Sequence, residues 1–141
     1  MMNDNEISQG AVSILVSEQE DSFSALLTAR EVARHAGFDG ANEVLIATVV
    51  SELATNIIRY AKSGKILLRI IHKDGLSGLE VKAIDEGPGI HNIELAMTDN
   101  YTTTKDSLGL GLSSLKRIMD EYEIQSVPGK GTSITARKWR K

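Results

Sequence analysis

The chain contains no cysteine, which excludes disulfides and thiolate metal sites and leaves packing alone to hold a core together. Aromatic residues make up only 4% of the 141 positions, with a single tryptophan, so that core must be filled by aliphatic side chains. There are two prolines and neither precedes residue 88, so the first part of the chain carries no ring to break a helix. Charge of one sign is also lacking. The net charge is −3 with acidic and basic residues interleaved, which gives no electrostatic footing for nucleic acid or an anionic membrane and directs attention to a small ligand or a protein partner. No apolar run is expected to reach the roughly 20 residues of a membrane span. The opening MMNDNEISQG is too acidic and polar for a secretory leader, so a cytoplasmic protein is expected. With 41% hydrophobic content, residues 1–10 are read as a flexible arm and 11–141 as one domain with a real core.

The strongest pattern in the chain is an apolar-periodic run from Ala41 to Ala61, uninterrupted by Gly or Pro, which predicts a helix. Ile46, Val50, Leu53, Ile57 and Ala61 fall on one face, and Glu52, Asn56 and Arg59 form a polar stripe on the other. Residues four apart on a helix sit about 5–6 Å apart at Cβ, so Glu52 and Asn56 can serve one ligand. By itself the stripe is better read as a solvated helix face, since polar stripes on amphipathic helices are ordinary.

Around this helix the other elements follow in order. Ala11–Val16 reads as a first strand. Asp21 or Ser22 can cap a helix ending at His35, with Phe23, Leu26, Leu27 and Ala33 inward and Gly37 as the stop. Asp39 caps the central helix. Lys65–Lys73 and Leu79–Asp85 read as antiparallel strands joined by a DGLSG loop. DEGPGI, residues 85–90, cannot continue a strand and frees the backbone to lie against something, though a tight turn satisfies the same residues. Residues 91–108 show no strong periodicity, and a stretch of that length in a small domain reads as a lid or binding loop.

LGLGL at 108–112 opens a run in which Leu112, Leu115, Met119 and Tyr122 keep helical spacing. Bare N–H groups at such a start suit phosphate oxygens, but a lone GxG also fits a simple turn. Glu123–Val127, the turn PGKG and Thr132–Trp139 read as a second hairpin. The closing RKWRK is read as an edge strand bearing charge against aggregation.

In order, then, the chain carries ExxxN on a helix, DxGxG after a strand, a long polar loop, GxG opening a helix, and GT starting a late strand. This series resembles the ATP-binding domain shared by gyrase, the Hsp90 chaperones, histidine kinases and MutL, the GHKL group. The resemblance implies an α/β two-layer sandwich with a mixed, mostly antiparallel sheet and helices on one face. It implies that ATP or ADP is bound with Mg2+. Asn56 would hold the metal and Asp85 would accept a hydrogen bond from the adenine amino group. Gly87 and Gly89 would let the backbone approach the nucleotide, and Thr132 would support its adenine end. The stretch Gly109, Leu110, Gly111 would cradle the phosphates. Apart from the resemblance, the polar loop makes Thr102, Thr103, Thr104 and Lys105 available to the terminal phosphate, Lys105 on its charge alone, where a solvated loop lysine is the plainer reading. Glu52 would act as the catalytic base, a role consistent with a carboxylate one turn from a metal ligand.

The wording SELATNIIRYA, GLGLSSLKRIMDEY and GTSITARKW is similar to the serine/threonine kinases of bacterial partner-switching systems, nearest to the switch kinases of the stressosome. That resemblance implies STAS-domain proteins as substrates and a PP2C-type phosphatase regulator as the partner on release, with no nucleic acid and no membrane. An anti-sigma factor kinase shares every nucleotide motif and stays open as an alternative. So does a non-catalytic ATP-gated binding module, against which the presence of Glu52 argues.

Overall fold

A computed structural model describes residues 11–87 and 112–140. The arm at 1–10 and the segment 91–108 lie outside them. The elements run β1 (Ala11–Val16), α1 (Gln19–His35), α2 (Gly40–Asn56), a π-helical turn (Ile57–Ala61), β2 (Gly64–Lys73), β3 (Leu76–Asp85), α3 (Ser113–Ile118), β4 (Glu121–Val127) and β5 (Gly131–Trp139).

The five strands form one sheet in the order β1-β2-β3-β5-β4. All four pairings are antiparallel, so the described sheet has no parallel member. Alternation along each strand sends Val12 and Val16, Ile66 and Leu68, Val81 and Ala83, and Ile134 and Ala136 to one buried face. Ile46, Val49, Val50 and Leu53 of α2 are buried in the same core. Each such aliphatic side chain withdrawn from water contributes roughly 1.5–3 kcal/mol, and with no cysteine the fold rests on this layer.

Two helix starts are held by side chains. Asp39 accepts from the Asn42 N–H at 2.8 Å, as expected of an N-cap. The start of α1 lies earlier than expected, with Glu18 as N-cap. Asp21 instead sits in the first turn and accepts from the N–H groups of Ser17 and Glu18 at 2.9 Å each. Those two backbone donors hold the Asp21 carboxyl below its ordinary pKa. The expected inward set of α1 is corrected too: Phe23 is 63% and Leu27 43% exposed. The buried stripe is Ala25, Ala29, Val32 and Ala33, whose small side chains let the helix lie close, while the bulky pair falls on the outer flank.

Between the helices, Glu43 is 4% exposed and receives Arg30 Nε at 3.1 Å and Arg34 Nη2 at 2.8 Å. The Arg34 hydrogen bond, with Arg30 behind it, keeps the Glu43 carboxyl below its ordinary pKa.

Three further boundaries shift. The β2–β3 loop is only Asp74-Gly75, both at positive φ (52° and 80°), because Asp-Gly closes a tight turn matched to strand twist; Leu76 to Gly78 of the expected loop belong to β3. Helix α3 stops at Ile118, and Tyr122 lies in β4 although its spacing continued the helical pattern. Strand β5 is interior, between β3 and β4, so RKWRK does not close an edge. Arg137 donates to Glu80 at 2.9 Å, Lys138 Nζ donates to the Ile118 carbonyl at 2.8 Å, and Trp139 Nε1 donates to Glu121 at 2.6 Å. Residues 40–61 form a helical stretch of 22 residues that is long and apolar enough to cross a membrane, contrary to expectation. Its apolar face is spent on the core, where Ile46, Val50, Leu53 and Ile57 are buried.

Candidate active site

One cross-strand row assembles the polar end of the molecule. The register places Val16 opposite Gly64, Gly64 opposite Asp85, Asp85 opposite Thr132, and Thr132 opposite Ser126. Because this row keeps the phase of the buried face, Asp85 and Thr132 continue the helix-covered side of the sheet just where its apolar residues end. Thr132 is 8% exposed, and its hydroxyl lies 2.9 Å from that of Ser126. Asp85 is half-buried, and its Oδ1 accepts from the Gly87 N–H at 2.8 Å, which turns the chain out of β3 and fixes the carboxylate. A cleft of about 360 Å³ opens beside the row, with Val16, Ser63, Gly64, Asp85 and Glu86 among its walls.

Backbone approach here is close enough to exclude side chains. A Cβ on Gly87 would fall 2.6 Å from the Ala61 Cβ. One on Gly131, whose φ is +139°, would fall 2.2 Å from the Asp85 carbonyl oxygen. The contact of Gly87 with Ala61 seats the end of the π turn against the exit of β3. Asn56 is the residue immediately before that turn.

Glu52 and Asn56 are both half-buried and one turn apart on α2, as predicted. The carboxylate Oε2 of Glu52 accepts a hydrogen bond from Ser114 of α3, so it faces the helix that follows the GxG. Arg59 leaves the stripe. The π turn rotates its side chain out of α-helical phase, and it lines a small cleft with Gln19, Ser22, Thr55 and Ile58. Gly89, Thr104, Lys105, Gly109, Leu110 and Gly111 lie outside the described residues. Three residues beside this row escaped sequence reasoning: Gly64, Ser114 and Ser126, which are set by register and packing, whereas Gly131 is the glycine of the GT pair.

A helix with a carboxylate and a carboxamide packed on an antiparallel sheet, with the Asp85–Gly87 turn at the end of a central strand, is the arrangement expected of a nucleotide-binding ATPase. Residues 41–141 match the family of histidine kinase-, DNA gyrase B- and HSP90-like ATPases, and the chain belongs to it. Within that family it is a serine/threonine-protein kinase of the RsbT kind, on the strength of one relative. It is 41% identical over 126 residues to the serine/threonine-protein kinase RsbT of Bacillus subtilis (strain 168), covering 89% of this chain and 94% of that one. It is also 35% identical over 134 residues to the anti-sigma F factor of Thermoanaerobacter sp. (strain X514), covering 91% of each. Among solved structures, a chain of the SiaB–SiaC complex from Pseudomonas aeruginosa superposes with a TM-score of 0.54 at 11% identity, over 97% of this chain and 95% of that one. The catalytic domain of the histidine kinase ThkA superposes with a TM-score of 0.50 at 18% identity, over 90% and 95%. These two likenesses concern the fold. Kinase membership carries ATP binding with it.

Proposed function

We propose that the chain transfers the terminal phosphoryl group of ATP to a serine or threonine of STAS-domain proteins, as the switch kinase of a cytoplasmic partner-switching pathway. On this reading it is later released to a PP2C-type phosphatase regulator. The observation that carries it is the conjunction of Glu52 and Asn56, one turn apart on α2, with Asp85 fixed at the end of the sheet on the same side. Asp85 accepts from the adenine amino group through the oxygen that Gly87 does not occupy, with Thr132 beside it. The single domain extends over residues 11–141, and Gly89, Thr104, Lys105, Gly109, Leu110 and Gly111 complete the nucleotide contacts.

The donor set suits magnesium, a hard ion that takes oxygen ligands, of which the Asn56 amide oxygen is one. The ion would neutralise charge on the phosphates. Glu52 orients the substrate hydroxyl and takes its proton. The hydroxyl oxygen forms the new bond to the γ-phosphorus, the bond from that phosphorus to the bridging oxygen breaks, and ADP leaves.

The test is single-turnover transfer from radiolabelled ATP to candidate STAS proteins. General-base assistance is worth about 10²–10⁴ in rate, so Glu52→Gln should lose at least about a hundredfold while still binding ATP. Transfer within about threefold of native would remove Glu52 from the role and favour a non-catalytic, ATP-gated binder. A second reading, sequestration of a sigma factor, is supported by the anti-sigma F factors among the relatives. Tight ATP-dependent capture of a sigma factor would favour it.

A further inference from the structure

Ser114 falls outside the nucleotide motifs, yet its hydroxyl donates to Glu52 Oε2 across 62 positions of sequence. The serine is 2% exposed and stands between Leu112 and Leu115, which are 1% and 0% exposed. The Leu115 N–H bonds back to the Leu112 carbonyl at 3.0 Å, and the Met119 N–H to the Leu115 carbonyl at 3.0 Å, so the turn that presents Ser114 is closed at both ends. Two buried leucines thus anchor the hydroxyl that meets the carboxylate. A carboxylate at the rim of an aliphatic helix otherwise has several rotamers, and a base that must meet an incoming hydroxyl needs one of them.

We propose that Ser114 is a positioning residue for the phosphotransfer reaction. It occupies Oε2 of Glu52, fixes the rotamer of the carboxylate, and leaves Oε1 as the oxygen that receives the proton of the substrate hydroxyl. The inference rests on the reading of Glu52 as the base. It adds that the catalytic geometry of α2 is set from α3, so the helix following the phosphate-type loop takes part in catalysis as well as in binding. A serine that merely filled space here would affect stability alone. A positioning serine affects the chemical step through Glu52.

The experiment is a double-mutant cycle in single-turnover phosphoryl transfer, with ATP affinity and melting temperature measured for each protein. Ser114→Ala should slow transfer about tenfold, the order carried by one hydrogen bond to a charged group, while ATP affinity stays within about twofold. Ser114→Thr, which keeps the hydroxyl, should recover most of the rate. Combined with Glu52→Gln, Ser114→Ala should cost little further, because its effect passes through the carboxylate. Native transfer in Ser114→Ala, or the same loss with and without Glu52, overturns the proposal while the base assignment stands. Native transfer in Glu52→Gln alone overturns the base assignment, and the proposal with it.

Discussion

Replacing Asp85 by Asn isolates the recognition of the base from the fold. The native carboxylate accepts the Gly87 N–H at 2.8 Å through Oδ1, and an asparagine oxygen in the same place accepts it equally. Backbone pairing of Asp85 with Gly64 and Thr132 is untouched by the change, so the strand row should survive. What changes is the second acceptor. On the proposed reading an amide NH2 would take the place of Oδ2 and face the adenine amino group, donor against donor. The lost charge-assisted bond is worth roughly 1.5–3 kcal/mol, or about ten- to a hundredfold in affinity. Titration calorimetry should therefore show weaker ATP binding by that factor and a smaller preference for ATP over GTP, with the melting temperature within a few degrees of native. ATP affinity within about twofold of native would refute the argument. An equal loss for ATP and GTP would do so as well, because it would trace the effect to the scaffold.

The remaining predictions bear on other parts of the site and on the helical layer. Asn56→Ala should abolish the magnesium dependence of nucleotide binding while leaving the circular dichroism spectrum native; unchanged affinity with and without magnesium would remove Asn56 from the ion. Gly131→Ala forces a side chain to φ +139° and within 2.2 Å of the Asp85 carbonyl, and thermal melts should show a loss of about 2–4 kcal/mol together with weakened ATP binding. Glu43, with its carboxyl held below the ordinary value of 4.5, contributes stability that is present above that pH and lost as pH falls through its folded pKa. Denaturant titrations from pH 6 down to about 3 should show that loss in the native protein and a flatter profile in Glu43→Gln.

The central helix was legible because its period is local: the spacing of Ile46, Val50, Leu53 and Ile57 needs no partner to be read, and Asp39 caps it from the adjacent position. Glu52, Asn56 and Asp85 stand out in the sequence for the same reason, as members of short patterns in a fixed order. The outward turn of Phe23 and Leu27 was not. An apolar stripe tells that a helix has a buried face, but the close seat of α1 chose the alanine stripe instead. Nor could the sequence place β5 between β3 and β4, since an antiparallel hairpin can join a sheet by either strand and only the completed register decides which edge is free. The same register aligned Gly64, Asp85, Thr132 and Ser126 into one row from four separate strands. The meeting of Glu52 with Ser114 belongs to tertiary structure alone, because the buried Leu112 at the cap of α3 and Leu115 within it, far along the chain, carry the hydroxyl to the carboxylate.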